Sequence, residues 1–292
     1  MKKLILPGTI PTQELHQYLL GSVSPRPIAF VSTVDNDGNV NIAPYSFFNA
    51  FSSNPPILVF SSNRRVQGNT TKDTLHNIMD SKECVVNVVS HHIVRQMMIC
   101  SVDFPNEVNE FEASGLHEEA SQIVKPPLVL ESPVNMECKV RDIISLGTEG
   151  GAGHLIICDV VCMHIDEKVL DEEGKIDPHK IDLMGRMGKA FYVRASGEAV
   201  SAMPQSQSLP IIGYPNLPSH IRESKILSAN DIGILSGLKS LPSKTEGMAF
   251  YNSNSEVQQI NLEDKLAVHK MAKRFIEQNK FNEALLLLVC IE

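Results

Sequence analysis

Residues 24–62 constrain the fold of this chain more than any other stretch. Three extended runs lie there in close succession, at 27–34, 40–51 and 57–62. The first two are joined by Asp35-Asn36-Asp37-Gly38-Asn39. Gly and Asn accept positive φ, so this connection predicts a hairpin. The second and third are joined by Ser53-Asn54-Pro55-Pro56, where the prolines end ladder pairing and turn the chain. The spacing therefore predicts an antiparallel meander. Its middle run carries Ala43-Pro44-Tyr45-Ser46-Phe47-Phe48-Asn49, in which polar and apolar side chains do not alternate. A strand interrupted by Pro, Ser and Asn marks a bulge or a ligand.

The rest of the chain sets limits on partners and compartment. Its 292 residues, 42% hydrophobic and 21% charged, suffice for one large domain or one domain plus an extension. A net charge of −8 argues against a nucleic-acid footprint, which needs a basic patch. The opening MKKLILPGTIP has too few apolar residues for a signal-peptide core. No run approaches the roughly 18 apolar residues of a membrane span. A cytoplasmic protein without nucleic-acid or membrane partners is expected. The 6 cysteines form no Cys-x-x-Cys pair and are expected to be free, buried thiols.

Residues 12–20 predict a short helix. Beyond the meander, Leu75, Ile78 and Met79 have helical spacing, with Thr70 or Thr71 available as N-cap. A helix N-terminus offers free N–H groups and partial positive charge, which suit a phosphate. Lys72 and Arg64 add cations there, and Ser61, Ser62 and Thr74 add hydroxyl donors. A capped amphipathic helix with a solvated lysine would need no ligand, but the interrupted strand just before it favours one.

Further strands are predicted at 83–90, 134–144 and 155–165, with a helix over 91–100 and a loop with a short acidic helix over 101–115. The glycine-rich 147–153 joins strand to strand, so it lacks the helix that a dinucleotide fingerprint requires. Adjacent His91 and His92 point in different directions on a helix and make a poor metal pair. His154, Cys158, Cys162 and His164 share one strand parity. At about 3.3 Å per residue, His154 and His164 stand ~33 Å apart. A tetrahedral site holds its ligands at about 2.0–2.3 Å. At most Cys162 and His164 share an ion, and no metal centre is expected. Residues 197–209 read as a linker. Short helical fragments follow over 211–241, then an amphipathic helix, or two, over 261–288 with Leu262, Leu266, Phe275, Ile276 and Leu285 on its apolar face. Two domains are expected, 1–200 and 201–292.

Four motifs occur in order: PRPIAFVST at 25–33, NIAPYSFFNAFSSNPP at 41–56, Lys72-Asp73-Thr74, and GRMGKAFY at 185–192. Together they resemble the flavin reductase-like, FMN-binding split-barrel family, especially its flavoredoxin-like branch, over residues 7–200. The resemblance implies a mainly β fold with peripheral helices, an antiparallel Greek-key split β-barrel, here with a C-terminal helical extension. It implies FMN with its phosphate at Ser61, Ser62, Arg64, Lys72 and Thr74, and its ring against Tyr45, Ser46, Phe47, Phe48 and Asn49. Arg26, Thr33, Asp73 and Arg186 belong to the same implied site. A homodimer is implied, as is NADH or NADPH as electron donor, with free flavin, iron or a partner protein as acceptor. No catalytic nucleophile is expected. A carrier or flavin store that binds FMN without turning over nicotinamide stands as the alternative.

Overall fold

The structure is a computed structural model that describes residues 2–105, 107–203 and 209–291. Residues 204–208, inside the expected linker, lie outside the described residues. The chain forms two compact units, Met1–Ser201 and Ala202–Glu292.

In the first unit, helix α1 (Thr12–Ser22) leads into β1 (Ala29–Val34), β2 (Val40–Tyr45), β3 (Phe48–Ser53) and β4 (Pro56–Asn63). The hairpin between β1 and β2 is closed by Asp35. Its carboxylate accepts the N–H groups of Asp37 (2.9 Å) and Asn39 (2.8 Å), while Gly38 takes φ 91°. Helix α2 (Asp73–Ser81), β5 (Glu83–Val88), α3 (Val94–Ile99) and α4 (Glu110–Ser114) follow. The pair β6 (Glu118–Glu119) and β7 (Leu128–Val129) precedes the two long strands β8 (Val134–Ser145) and β9 (Gly153–Ile165). A hairpin of β10 (Leu183–Arg186) and β11 (Tyr192–Ala195) ends the unit.

Seven strands make one antiparallel sheet in the order β2-β1-β5-β8-β9-β4-β3. Its two outermost strands, β2 and β3, are consecutive in the chain and separated only by Ser46 and Phe47. The sheet must therefore curl until its edges nearly meet, which is the split Greek-key barrel. Here the expected meander needs correcting. The run 40–51 is not one strand. It pairs with β1 up to Tyr45 and, from Phe48 onward, with β4. The Phe47 carbonyl already accepts the Ser61 N–H (2.8 Å).

β1 is buried on both faces, as its β-branched and aromatic composition suits. Ala29 and Val31 join a core with Tyr45, Phe60, Leu75, Ile78, Val86 and Ile156. Phe30 faces the other way and packs with Ile42, Ile93, Met97 and Phe111, so α3 and α4 cover that face. α2 adds Leu75 and Ile78 to the first core and stops at Lys82, whose φ is 58° and whose N–H returns to the Ile78 carbonyl.

The second unit is helical: α5 (Ser219–Arg222), α6 (Ala229–Ser236), α7 (Lys244–Ser253), α8 (Lys265–Glu277) and α9 (Phe281–Leu288). Capping boxes start α6 (Ser228 with Asp231) and α7 (Ser243 with Glu246), and Asp264 caps α8. The run 261–288 is two helices, broken where Asn279 takes φ 60°. Phe275, Ile276 and Leu285 are buried as expected, but Leu266 is exposed and Val268, Met271 and Ala272 fill the apolar face instead. Among the described residues no helix is long and apolar enough to cross a membrane.

Candidate functional site

The switch of the chain from one sheet edge to the other leaves a cavity of about 340 Å³ beside Ser46–Asn49. Arg26, Phe51, Ser61 and Leu155 also line it. Arg26 is buried. Its guanidinium donates to the carbonyls of Leu20 (2.7 Å), Val23 (2.6 Å) and Met187 (3.2 Å), and its Nε reaches Ser46 Oγ (3.4 Å). It thus ties the end of α1 and the loop after β10 to the strand switch. Burial, with the nearby Arg186, lowers its pKa from the ordinary arginine value. Arg186 exchanges backbone hydrogen bonds with Arg26 (2.9 and 2.8 Å) and stacks its guanidinium 4.5 Å from the Tyr192 ring centre. Gly185 lies against Pro25, where a Cβ would sit 3.2 Å from the proline's own Cβ.

A second group of the expected residues gathers at the start of α2. Lys72 occupies the N-cap with extended backbone angles, and its side chain makes no cap hydrogen bond. Its Nζ lies 5.4 Å from the centre of the Tyr45 ring, and burial lowers its pKa. Tyr45 is buried, and burial pushes its phenol up to about 12. The phenol adjoins the Thr74 and Ser62 hydroxyls, which moderate that rise, but among the described residues neither the Tyr45 hydroxyl nor the buried Ser62 Oγ makes a hydrogen bond of ordinary geometry. Two such hydroxyls beside a helix end are costly unless a ligand satisfies them. Ser61 instead donates to Asn63 Oδ1 (2.7 Å). A side chain at Gly153 would place its Cβ 2.6 Å from Ser61 Oγ, so this glycine keeps β9 close to the site. Thr74 Oγ1 accepts from Asn41 Nδ2 (2.9 Å), and Asp73 opens α2.

Two of the expected residues serve the scaffold. Thr33 is buried, and its hydroxyl accepts from Asn77 (3.1 Å) and Asn41 (3.3 Å), fastening α2 to β1. Arg64 holds Asn69 through its side chain and carbonyl (2.6 Å each). Its neighbour Arg65, which sequence reasoning passed over, is a second cation at the α2 end beside Lys72. It pairs with Asp103 through two nitrogens (3.1 and 2.8 Å), donates to the Thr71 carbonyl (2.7 Å) and lines a small cleft with Asn41, Lys72, Asp73 and Thr74. Nothing in the order Arg64-Arg65 distinguishes the two.

A flavin mononucleotide fits this donor set. The α2 end, Lys72 and the two buried hydroxyls suit a phosphate dianion, and the walls at Phe47 and Phe48 suit a planar ring.

Residues 20–181 match the flavin reductase like domain. An uncharacterized protein of Aquifex aeolicus is 41% identical over 184 residues, which span 63% of this chain and 91% of that protein. Nitrilotriacetate monooxygenase component B from Bacillus cereus superposes with a TM-score of 0.64 at 30% identity, covering 69% of this chain and 99% of that one. The 2-nitrobenzoate 2-nitroreductase NbaA from Pseudomonas fluorescens does so with a TM-score of 0.61 at 30% identity, covering 72% and 100%.

Proposed function

The chain belongs to the flavin reductase-like family, and on that premise we propose that it is an FMN-dependent oxidoreductase that uses NADH or NADPH as electron donor. The observation that carries this reading is the pair of buried hydroxyls, Tyr45 and Ser62, which lack a hydrogen bond of ordinary geometry beside the start of α2 and Lys72. Lys72, Ser62, Tyr45 and the first N–H groups of α2 hold the phosphate, with Arg65 fixing the loop that leads into the helix. Phe47 and Phe48 exclude water from the ring, and Asn49 presents polar groups at the cavity wall. Arg26 positions Ser46 and Phe47 from behind. When bound, FMN would supply the hydride- and electron-transfer chemistry. Orienting donor and acceptor is the protein's share, so no nucleophile or acid–base pair is required. The edge strand β3, exposed from Asn49 to Ser53 with Phe51 68% exposed, supports a homodimer that covers it.

Anaerobic mixing of the FMN-loaded protein with NADH and with NADPH, followed by flavin bleaching, tests the activity. Rapid bleaching by one nucleotide is expected. Bound flavin that dithionite reduces but neither nucleotide bleaches would make the protein a carrier or store. The two 30%-identical structures carry names with different substrates, so the acceptor is to be assigned by turnover with free flavin, ferric iron and nitroaromatics. The phosphate assignment has its own test. Lys72→Ala removes a charge-assisted contact of roughly 1.5–3 kcal/mol. FMN affinity of the apo-protein should fall roughly ten- to a hundredfold, and an unchanged titration curve would reject Lys72 as a phosphate ligand.

A further inference from the structure

We propose that Glu137, Cys162 and His164 form a binding site for a single zinc(II)-type ion, separate from the flavin site. Glu137 and Cys162 stand opposite each other in the β8–β9 ladder, next to a register shift, and His164 follows two residues along on the same face. His164 Nε2 lies 2.7 Å from Glu137 Oε1 and 3.6 Å from Cys162 Sγ. The three ligand atoms all fall within 4.8 Å of one another. Donors of a tetrahedral ion with ligands at about 2.0–2.3 Å are roughly 3.4 Å apart. The His164–Cys162 separation therefore already suits such an ion, and the His164–Glu137 contact need lengthen by only about 0.7 Å.

The chemistry of the three donors suits this ion. A carboxylate, an imidazole and a thiolate together fit a borderline-soft cation, and three protein ligands leave a fourth position open. Glu137 is fully buried, and its carboxylate accepts the amides of Gln122 (2.8 Å), Ile123 (2.6 Å) and Val124 (2.9 Å). These amides orient the carboxylate as outer-shell partners orient metal ligands. Glu137 Oε1 also faces His164 Nε2, and the ion would sit between these two atoms. The His164 side chain is 27% exposed and lines a polar cavity of about 610 Å³ with Ser90, His92, Asn135 and Lys180. Water or a small anion can reach the open position from that cavity. Leu155, at the flavin cavity, lies nine positions earlier on β9, about 30 Å away along the strand. The sequence placed Cys162 and His164 together but gave no hint of Glu137, which comes from another strand.

The test is a titration of chelator-treated full-length protein with Co²⁺, followed by near-ultraviolet thiolate-to-cobalt and visible absorption. One equivalent should bind, and Zn²⁺ should displace it. Cys162→Ser should abolish the thiolate band, and His164→Gln should weaken Co²⁺ binding at least tenfold. Both variants should keep the far-ultraviolet spectrum and FMN retention of the parent. Absence of the band in the parent protein at excess Co²⁺ would overturn the proposal, as would its persistence in Cys162→Ser. Should Cys162→Ser fail to fold, unaltered Co²⁺ affinity in His164→Gln decides against the site.

Discussion

Tyr45 illustrates how one side chain separates stability from binding. Its hydroxyl is buried without a hydrogen bond of ordinary geometry, a burden of roughly 1–3 kcal/mol in the flavin-free protein. Tyr45→Phe removes that burden and keeps the ring that packs on Phe60 and lies under Lys72. The apo variant should melt at the same temperature as the parent or a few degrees higher. If the hydroxyl serves the flavin phosphate, the rise in melting temperature on adding FMN should shrink. Paired melts with and without FMN check this, and a lower apo melting temperature with an unchanged FMN shift would count against a ligand role. At this scale the sequence was legible where a residue type had only one use. Lys72 stands at the start of α2, where the helical spacing put it. Arg64 and Arg65 were not separable, because adjacent residues on an irregular loop differ only in direction, and direction is set by Asn69 and Asp103 arriving from elsewhere. The scaffold contacts of Thr33 were not readable for the same reason, its partners Asn41 and Asn77 being remote in sequence.

Local turn chemistry made most elements readable. Asp35–Asn39 closes its hairpin, and the strand and helix around 83–99 fall where periodicity placed them. The break between β2 and β3 was not readable as a change of partner, because an extended residue looks alike whichever strand it pairs with. The interruption at Ser46-Phe47 was visible, but its consequence depends on the curl of the whole sheet. A comparable long-range meeting occurs between α5 and α8. His269 receives the Ser224 hydroxyl at its Nδ1 (2.7 Å) and contacts His220 (3.2 Å), whose remaining nitrogen is buried without a partner. Burial, then the neighbouring His269 and Lys265, pushes His220 down to about 4 from the ordinary 6.5, and burial lowers His269 as well. Both rings are therefore favoured neutral in the fold. Their contribution is complete above the unfolded value of 6.5 and declines as pH falls through it toward 4, because the unfolded chain then binds protons that the fold resists. The helical unit should lose melting temperature between pH 7 and pH 5, and His220→Gln should flatten that dependence. A parent protein whose helical unit melts identically at both pH values would refute the buried-neutral assignment.

The two units differ in how far the sequence speaks for them. For the barrel, motif order and turn spacing agreed with one another at every level, which is the condition under which a sequence specifies one fold. For the helical unit, caps and apolar periodicity revealed helices but no chemistry. Each unit nonetheless has a core of its own. The barrel core runs from Ala29 to Ile181, and the helical core from Ile212 to Ile291. The Aquifex relative matches over 91% of its own length while using only 63% of this chain, so a barrel of this kind exists with little beyond it. Every residue proposed to hold FMN lies before position 187. A fragment of residues 1–201 should therefore fold alone, with the β-rich far-ultraviolet spectrum of a barrel, and bind FMN within about threefold of the full chain, a difference of less than 1 kcal/mol. Circular dichroism and FMN titration of that fragment measure both. A soluble, folded fragment with FMN affinity reduced more than tenfold would instead make residues 202–292 part of the flavin site, because a folded barrel that already contains every proposed ligand could lose affinity only by losing a contact from outside it.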